Sequence, residues 1–288
     1  MGFVGIIVVF VMVFGGFIIA GGHISVILKA APIELMIIGG AAVGAYIIAN
    51  PMKTVKAGLK LMVKGLTSKG PQKQDYIELL QMLFQLFQLF RKEGPQGVEK
   101  HIENPDQSEI FKAYPSFMHN HHAVHYLCDT MKITLSAELS PYDVDDLLTA
   151  DFKAIHAEEH AAQHAVQTMA DGTPGLGIVA AVLGIVKTMG HLNDGVEKIG
   201  SLIGAALVGT MLGVFLAYGL VGPMAAKMGA DIEEEGRYLD CIRQALIALQ
   251  RGAPPLVCVE YARRSIMPEE RPSFEEMDKA TKEIKKAA

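Results

Sequence analysis

The sequence predicts an all-α polytopic membrane protein, with four transmembrane helices and a helical cytoplasmic domain. Three observations carry this. Long apolar runs are almost free of charge, the basic residues crowd between them, and strand alternation is nowhere convincing. Half of the 288 residues are hydrophobic, but they are spread unevenly, so the average says less than the pattern. The net charge of -5 is mixed along the chain, and no basic patch interleaves with aromatics, so nucleic acid is not an expected partner. Cys128, Cys241 and Cys258 are odd in number, widely spaced and outside the apolar runs, which fits a reducing compartment and no disulfide framework.

The first span runs from Phe3 to Gly22 without a charge, about long enough for a ~30 Å hydrocarbon layer. No Lys or Arg precedes it, which argues against a cleaved signal peptide. The second runs from Ile33 to Ala49 and stops at Asn50-Pro51. The third opens at Pro174 and carries only Gly175 to Val186 before Lys187, which would snorkel to the interface. The fourth runs from Leu202 to Val221 and ends at Gly222-Pro223.

Of the 26 Lys and Arg, all but Lys29, Lys187 and Lys198 lie in 51–171 or 224–288. The positive-inside rule therefore predicts cytoplasmic N- and C-termini, with the turns 23–32 and 188–201 on the far side. Four regions follow: a hairpin over 1–50, a cytoplasmic loop domain over 51–171, a second hairpin over 172–224, and cytoplasmic C-terminal helices over 225–288. Within the cytoplasmic part, 74–92 reads as a packed helix stopped by Gly94-Pro95. Ile110 to Ser136, Pro141 to Met169, Ile232 to Arg251 and Ser273 to Lys286 read likewise.

The histidines invite a metal reading. His156-Ala157-Glu158-Glu159-His160 matches H-x-x-E-H, His164 follows one turn later, and His119, His121, His122 and His125 form a second group. The surrounding Glu, Gln and Ala read instead as a solvated helix face, so no metal site is assigned. No nucleophile elbow, Walker loop or GxGxxG is present, and no enzyme activity or cofactor is expected.

Small residues are the informative feature of the second hairpin. Gly177, Ala180, Ala181 and Gly184 fall on one face of the third span; Ala206, Thr210, Gly213 and Ala217 fall on one face of the fourth. Small faces let helices approach closely in lipid, either against each other or against a partner helix. The first span and the cores of the second and fourth read as free of ionisable groups, so a proton-binding carboxylate would come from another chain. Thr210 is the one hydroxyl well inside the fourth span.

The chain resembles the MotA family of flagellar stator subunits, of the longer proteobacterial type. The resemblance is carried by Ile102-Glu103-Asn104-Pro105 with Ser108-Glu109-Ile110-Phe111, by Gly177 to Gly184, by Ala217-Tyr218-Gly219, by Ala253-Pro254-Pro255 and by Glu270-Arg271-Pro272-Ser273-Phe274. It implies a homo-oligomer of five copies around two copies of a MotB-type partner that supplies the membrane aspartate. Proton flow across the inner membrane would turn the ring and push the rotor protein FliG. On this resemblance Pro174 and Pro223 match the family's functional prolines and Thr210 faces the partner carboxylate. Arg91 and Glu99 match the rotor-contacting pair. Gly177, Ala180, Gly184, Ala206, Gly213 and Ala217 would pack on partner helices. Sodium-driven relatives carry a threonine where this chain has Ala181, so protons are the expected ion. An ExbB/TolQ-type energiser, with three spans, is the alternative; a histidine-dependent membrane metallopeptidase is the reading from another class.

Overall fold

The computed structural model describes residues 2–67 and 70–287, the last three without their side chains; the expected segment edges at Met1 and Ala288 lie outside them. Twelve helices are labelled here: α1 Gly2–Ile19, α2 Ile24–Ala49, α3 Met52–Thr67, α4 Lys73–Glu93, α5 Pro95–Glu103, α6 Glu109–Lys112, α7 Pro115–His119, α8 His121–Ser136, α9 Pro141–Met189, α10 Val196–Gln250, α11 Pro255–Ser265 and α12 Phe274–Ala287. No strand occurs among the described residues. Four of the helices, α1, α2, α9 and α10, are long and apolar enough to cross a membrane.

Two differences from the sequence reading have clear causes. The predicted helix Ile110–Ser136 is three pieces, because Pro115 starts a new helix and the Asn120 side chain caps α8 by accepting from Ala123 N at 3.0 Å. Conversely, the breaks expected at Pro174 and Pro223 do not occur. Each proline lies inside a continuous helix, α9 and α10.

The chain divides into two units. The first comprises residues 2–67 and 158–231. Here α2 lies along the first part of α10, and a core of Ala30, Ile38, Ala180, Val208 and Leu212 fills the seam. A second small core joins Tyr46 to Ala165, Val166, Ala225 and Met228. Helix α1 buries none of its apolar side chains, and Ile178, Val182 and Ile185 of α9 also face outward. Such a surface is stable only against lipid or another protein. Asn50 ends α2, its side-chain amide donating to Tyr46 O at 2.8 Å. Amphipathic α3 then carries Lys53, Lys56, Lys60 and Lys64, with Lys53 3.0 Å from Glu158.

The second unit comprises residues 70–157 and 232–287. Its core is built from large side chains: Phe84, Phe87, Phe111, Phe117 and Tyr126 are all fully buried. A capping box between Gln72 and Asp75 starts α4, and Gly94, with φ +73°, ends it. The Ile102–Phe111 motif is the elbow between α5 and α6. Ser108 Oγ accepts from Phe111 N at 3.2 Å and lies 2.8 Å from His101 Nδ1, while Ile102, Ile110 and Phe111 enter the core. The Glu270–Phe274 motif is a second tie-down: Arg271 Nε donates to Ile266 O, and Ser273 caps α12 from which Glu276 reaches back. Cys128 and Cys258 are buried, and burial pushes their thiols up to about 12 and about 11, so they are packing residues rather than nucleophiles.

Candidate functional site

The candidate site is the seam where α2, α9 and α10 meet within the first unit. Its dimensions are set by side chains that are missing. A Cβ built on Gly213 would stand 2.7 Å from Gly177 Cα, and one on Gly177 would stand 3.0 Å from Gly209 O. Gly184 meets Ala206 in the same way, at 2.7 Å from its Cβ. The small faces of α9 and α10 therefore touch each other backbone to backbone within the chain. Ala180 and Ala206 are buried by this packing, and Ala217 is buried as well. Ala181 and Thr210 are half-buried at its edge, close to Gly209.

The two prolines are accommodated differently. Pro174 removes the N–H that would bond Ala170 O. Helix α9 passes through it without leaving α geometry, and the neighbouring Thr173 hydroxyl donates to Met169 O at 2.7 Å. At Pro223 the chain instead widens into a π-helical turn, Leu216–Val221, closed by Gly222 N–H donating to Ala217 O. A Cβ on Gly222 would stand 2.7 Å from that carbonyl, so the turn needs glycine there. Pro223 itself is exposed. A second π turn, Val11–Gly15, interrupts α1, and Phe10 and Phe14 pack their rings on Phe215 at 5.2 and 5.3 Å. Two widened turns thus sit beside one aromatic cluster, a feature of helices with functional irregularity.

The seam also holds a group the sequence reading missed. Hydropathy starts the second span at Ile33, which leaves Glu34 at its edge and the cores free of acids. Helix α2 starts at Ile24, so Glu34 lies well inside it. It is 7% exposed, and its Oε2 has no hydrogen-bond partner among the described residues. A Cβ on Gly209 would stand 2.7 Å from that oxygen, so the glycine makes room for the carboxyl. The signal was present: Ala30, Glu34, Ile38, Ala42 and Tyr46 recur every four residues and form the buried stripe of α2. An ionised carboxylate at such depth costs about 2.5–3.5 kcal/mol.

In the second unit, Arg91 and Glu99 flank the Gly94 turn on α4 and α5, both exposed and not joined by an ion pair. Arg91 Nη2 donates to Gly252 O at 2.7 Å, which fixes the guanidinium beside the Ala253-Pro254-Pro255 turn. Of the H-x-x-E-H residues, Glu158 is engaged by Lys53, and the His156 ring stacks on Phe152 at 4.2 Å.

Four apolar helices, two of them running on well beyond membrane length, define a multi-pass membrane protein. The MotA/TolQ/ExbB proton channel family matches residues 118–240, and the motility protein A N-terminal family matches residues 3–94. Motility protein A of Salmonella typhimurium is 31% identical over 281 residues, 98% of this chain and 95% of that protein. Chemotaxis protein LafT of Vibrio parahaemolyticus is 32% identical over 280 residues, 96% of each. The chain belongs to the motility protein A family. Its fold is that of two solved assemblies, the flagellar MotAB stator complex from Bacillus subtilis (TM-score 0.71, 24% identity, covering 90% of this chain and 93% of that one) and MotAB of C. jejuni (0.76, 18%, 95% and 98%).

Proposed function

We propose that this chain is a flagellar motor stator subunit, which with a MotB-type partner couples proton flow across the bacterial inner membrane to torque on the rotor. The observation that carries the reading is end-to-end similarity to motility proteins, together with the four-span fold found in MotAB stator structures. In this reading several copies of the chain surround the partner, whose aspartate carries the transported ion. Thr210 and Ala181, at the half-buried edge of the seam, face that aspartate, and Ala181 offers no oxygen to a sodium ion. The packed glycine and alanine faces keep α9 and α10 moving as one wall. Pro174 and the Pro223 turn are the places where that wall bends. Arg91 and Glu99 contact the rotor protein FliG, the termini are cytoplasmic, and the chain is not an enzyme and needs no bound cofactor.

Four spans rather than three, and relatives named as motility proteins, favour this over an ExbB/TolQ-type energiser. Deleting the gene tests the reading. The expected cells carry assembled flagella and do not swim, and plasmid-borne wild type restores motility. Missing flagella, or undiminished swimming, would overturn it.

A further inference from the structure

The stator reading gives proton binding to the partner, and it leaves one buried acid of this chain without a task. Glu34 is almost wholly buried where α2 meets α10, and Oε2 lacks any partner among the described residues. A buried structural carboxylate is normally met by a cation or by several N–H donors. Here Oε2 lies 2.7 Å from where a Cβ on Gly209 would stand, a point that Ala181 N and Ala180 Cβ also approach, at 3.2 and 3.3 Å. Lys187 on α9 is the basic group whose field reaches it, and it is exposed rather than paired. Lys29, on its own helix, is exposed too, and α10 presents no ionisable side chain at this level.

The position is as telling as the partners. At 1.5 Å per residue, about 15 Å of helix separates Glu34 from Ile24, against about 24 Å to Asn50. The carboxyl is therefore nearer the side of the membrane that carries the turn between α9 and α10. Gly209, which gives it space, directly precedes Thr210.

We propose that Glu34 is a proton-binding site of this chain, a second intramembrane acid beside that of the partner. Oε2 takes a proton from hydronium entering on the α9–α10 turn side, leaving water and a neutral carboxylic acid. It returns to carboxylate when that proton passes to an acceptor carboxylate next to Thr210. The identity of the acceptor as the partner's aspartate rests on the stator reading; proton exchange at Glu34 does not.

The test uses the full-length chain with its partner, reconstituted in liposomes, as wild type, Glu34→Gln and Glu34→Asp. Infrared difference spectra across a pH series read the carboxylic C=O band directly. A band that titrates in wild type, vanishes in Glu34→Gln and shifts in Glu34→Asp is the expected result, with proton flux lost in Glu34→Gln and retained in Glu34→Asp. A Glu34→Gln complex with the wild-type titration and flux would overturn the proposal, because glutamine keeps the shape and cannot exchange a proton. If the band titrates as expected while wild type carries no flux, the stator reading fails and the proton site stands.

Discussion

The two units of this chain solve the packing problem in opposite ways. The second unit excludes water by filling space: Phe84, Phe87, Phe111, Phe117 and Tyr126 meet in one core. The first unit closes its seam by leaving side chains out, so that Gly177, Gly184, Gly209 and Gly213 let backbones touch. The difference follows from the solvent. In water the hydrophobic effect rewards each large apolar side chain removed from contact with it. Lipid gives no such reward, and helices associate through close van der Waals approach instead. One sequence therefore contains two rules for what counts as a damaging substitution.

The sharpest way to break the comparison is to add atoms to the seam. Gly213→Leu puts a side chain where Gly177 Cα lies 2.7 Å and Thr173 O lies 3.2 Å from the new Cβ. Both obstacles are backbone, so no rotamer relieves them and α9 and α10 must separate. The expected outcome is complete loss of swimming and a lower level of the chain in isolated membranes. Gly175→Ala is the control, since nothing lies within 4 Å of its new methyl. If Gly213→Leu swims as well as Gly175→Ala, the backbone contact is not what holds the wall together.

The second unit should show the opposite sensitivity. Phe87→Ala removes a fully buried ring from its core and is expected to destabilise that unit by about 3–5 kcal/mol. Thermal unfolding of the detergent-purified full-length chain would read this as a lower Tm. A loss under about 1 kcal/mol would mean that the core re-collapses around the gap, and the contrast between the units would be weaker than their packing implies.

What the sequence made legible divides along the same line. Each apolar run maps onto one of the four long apolar helices, and the Gln-rich stretch at 74–92 is the packed helix α4, because length and periodicity act locally. The continuity of α9 and α10 was not legible. A proline was read as an end, whereas Thr173 and a π turn carry the helix past it. Hydropathy alone hides Glu34, because it starts the span at Ile33, although the place of Glu34 on the four-residue stripe of α2 is written in the sequence. The stripes alone leave open whether the two small faces meet each other or a partner helix. A stripe of glycine says that something comes close, not what does.

The smallest effect concerns how the second unit holds its own tail. Arg263 donates to both carboxylate oxygens of Glu260 at 2.8 Å, and Arg264 adds a contact at 2.7 Å. These bonds, led by Arg263, lower the Glu260 carboxyl from 4.5 to about 2. Because the folded value is the lower one, the stabilisation is fully present above pH 4.5 and is lost as pH falls through that window to about 2. Glu260 is partly exposed and Arg264 is mostly so, which leaves roughly 1–2 kcal/mol after screening. Arg263 also donates to Pro272 O at 2.9 Å, so the pair fixes the Glu270–Phe274 turn that leads into α12. Glu260→Gln should therefore lower Tm near neutral pH and flatten its dependence on acid between pH 4.5 and 2, converging with wild type below that. An unchanged acid slope in Glu260→Gln would move the acid sensitivity to other carboxylates. The ion pair would then hold the turn by geometry alone.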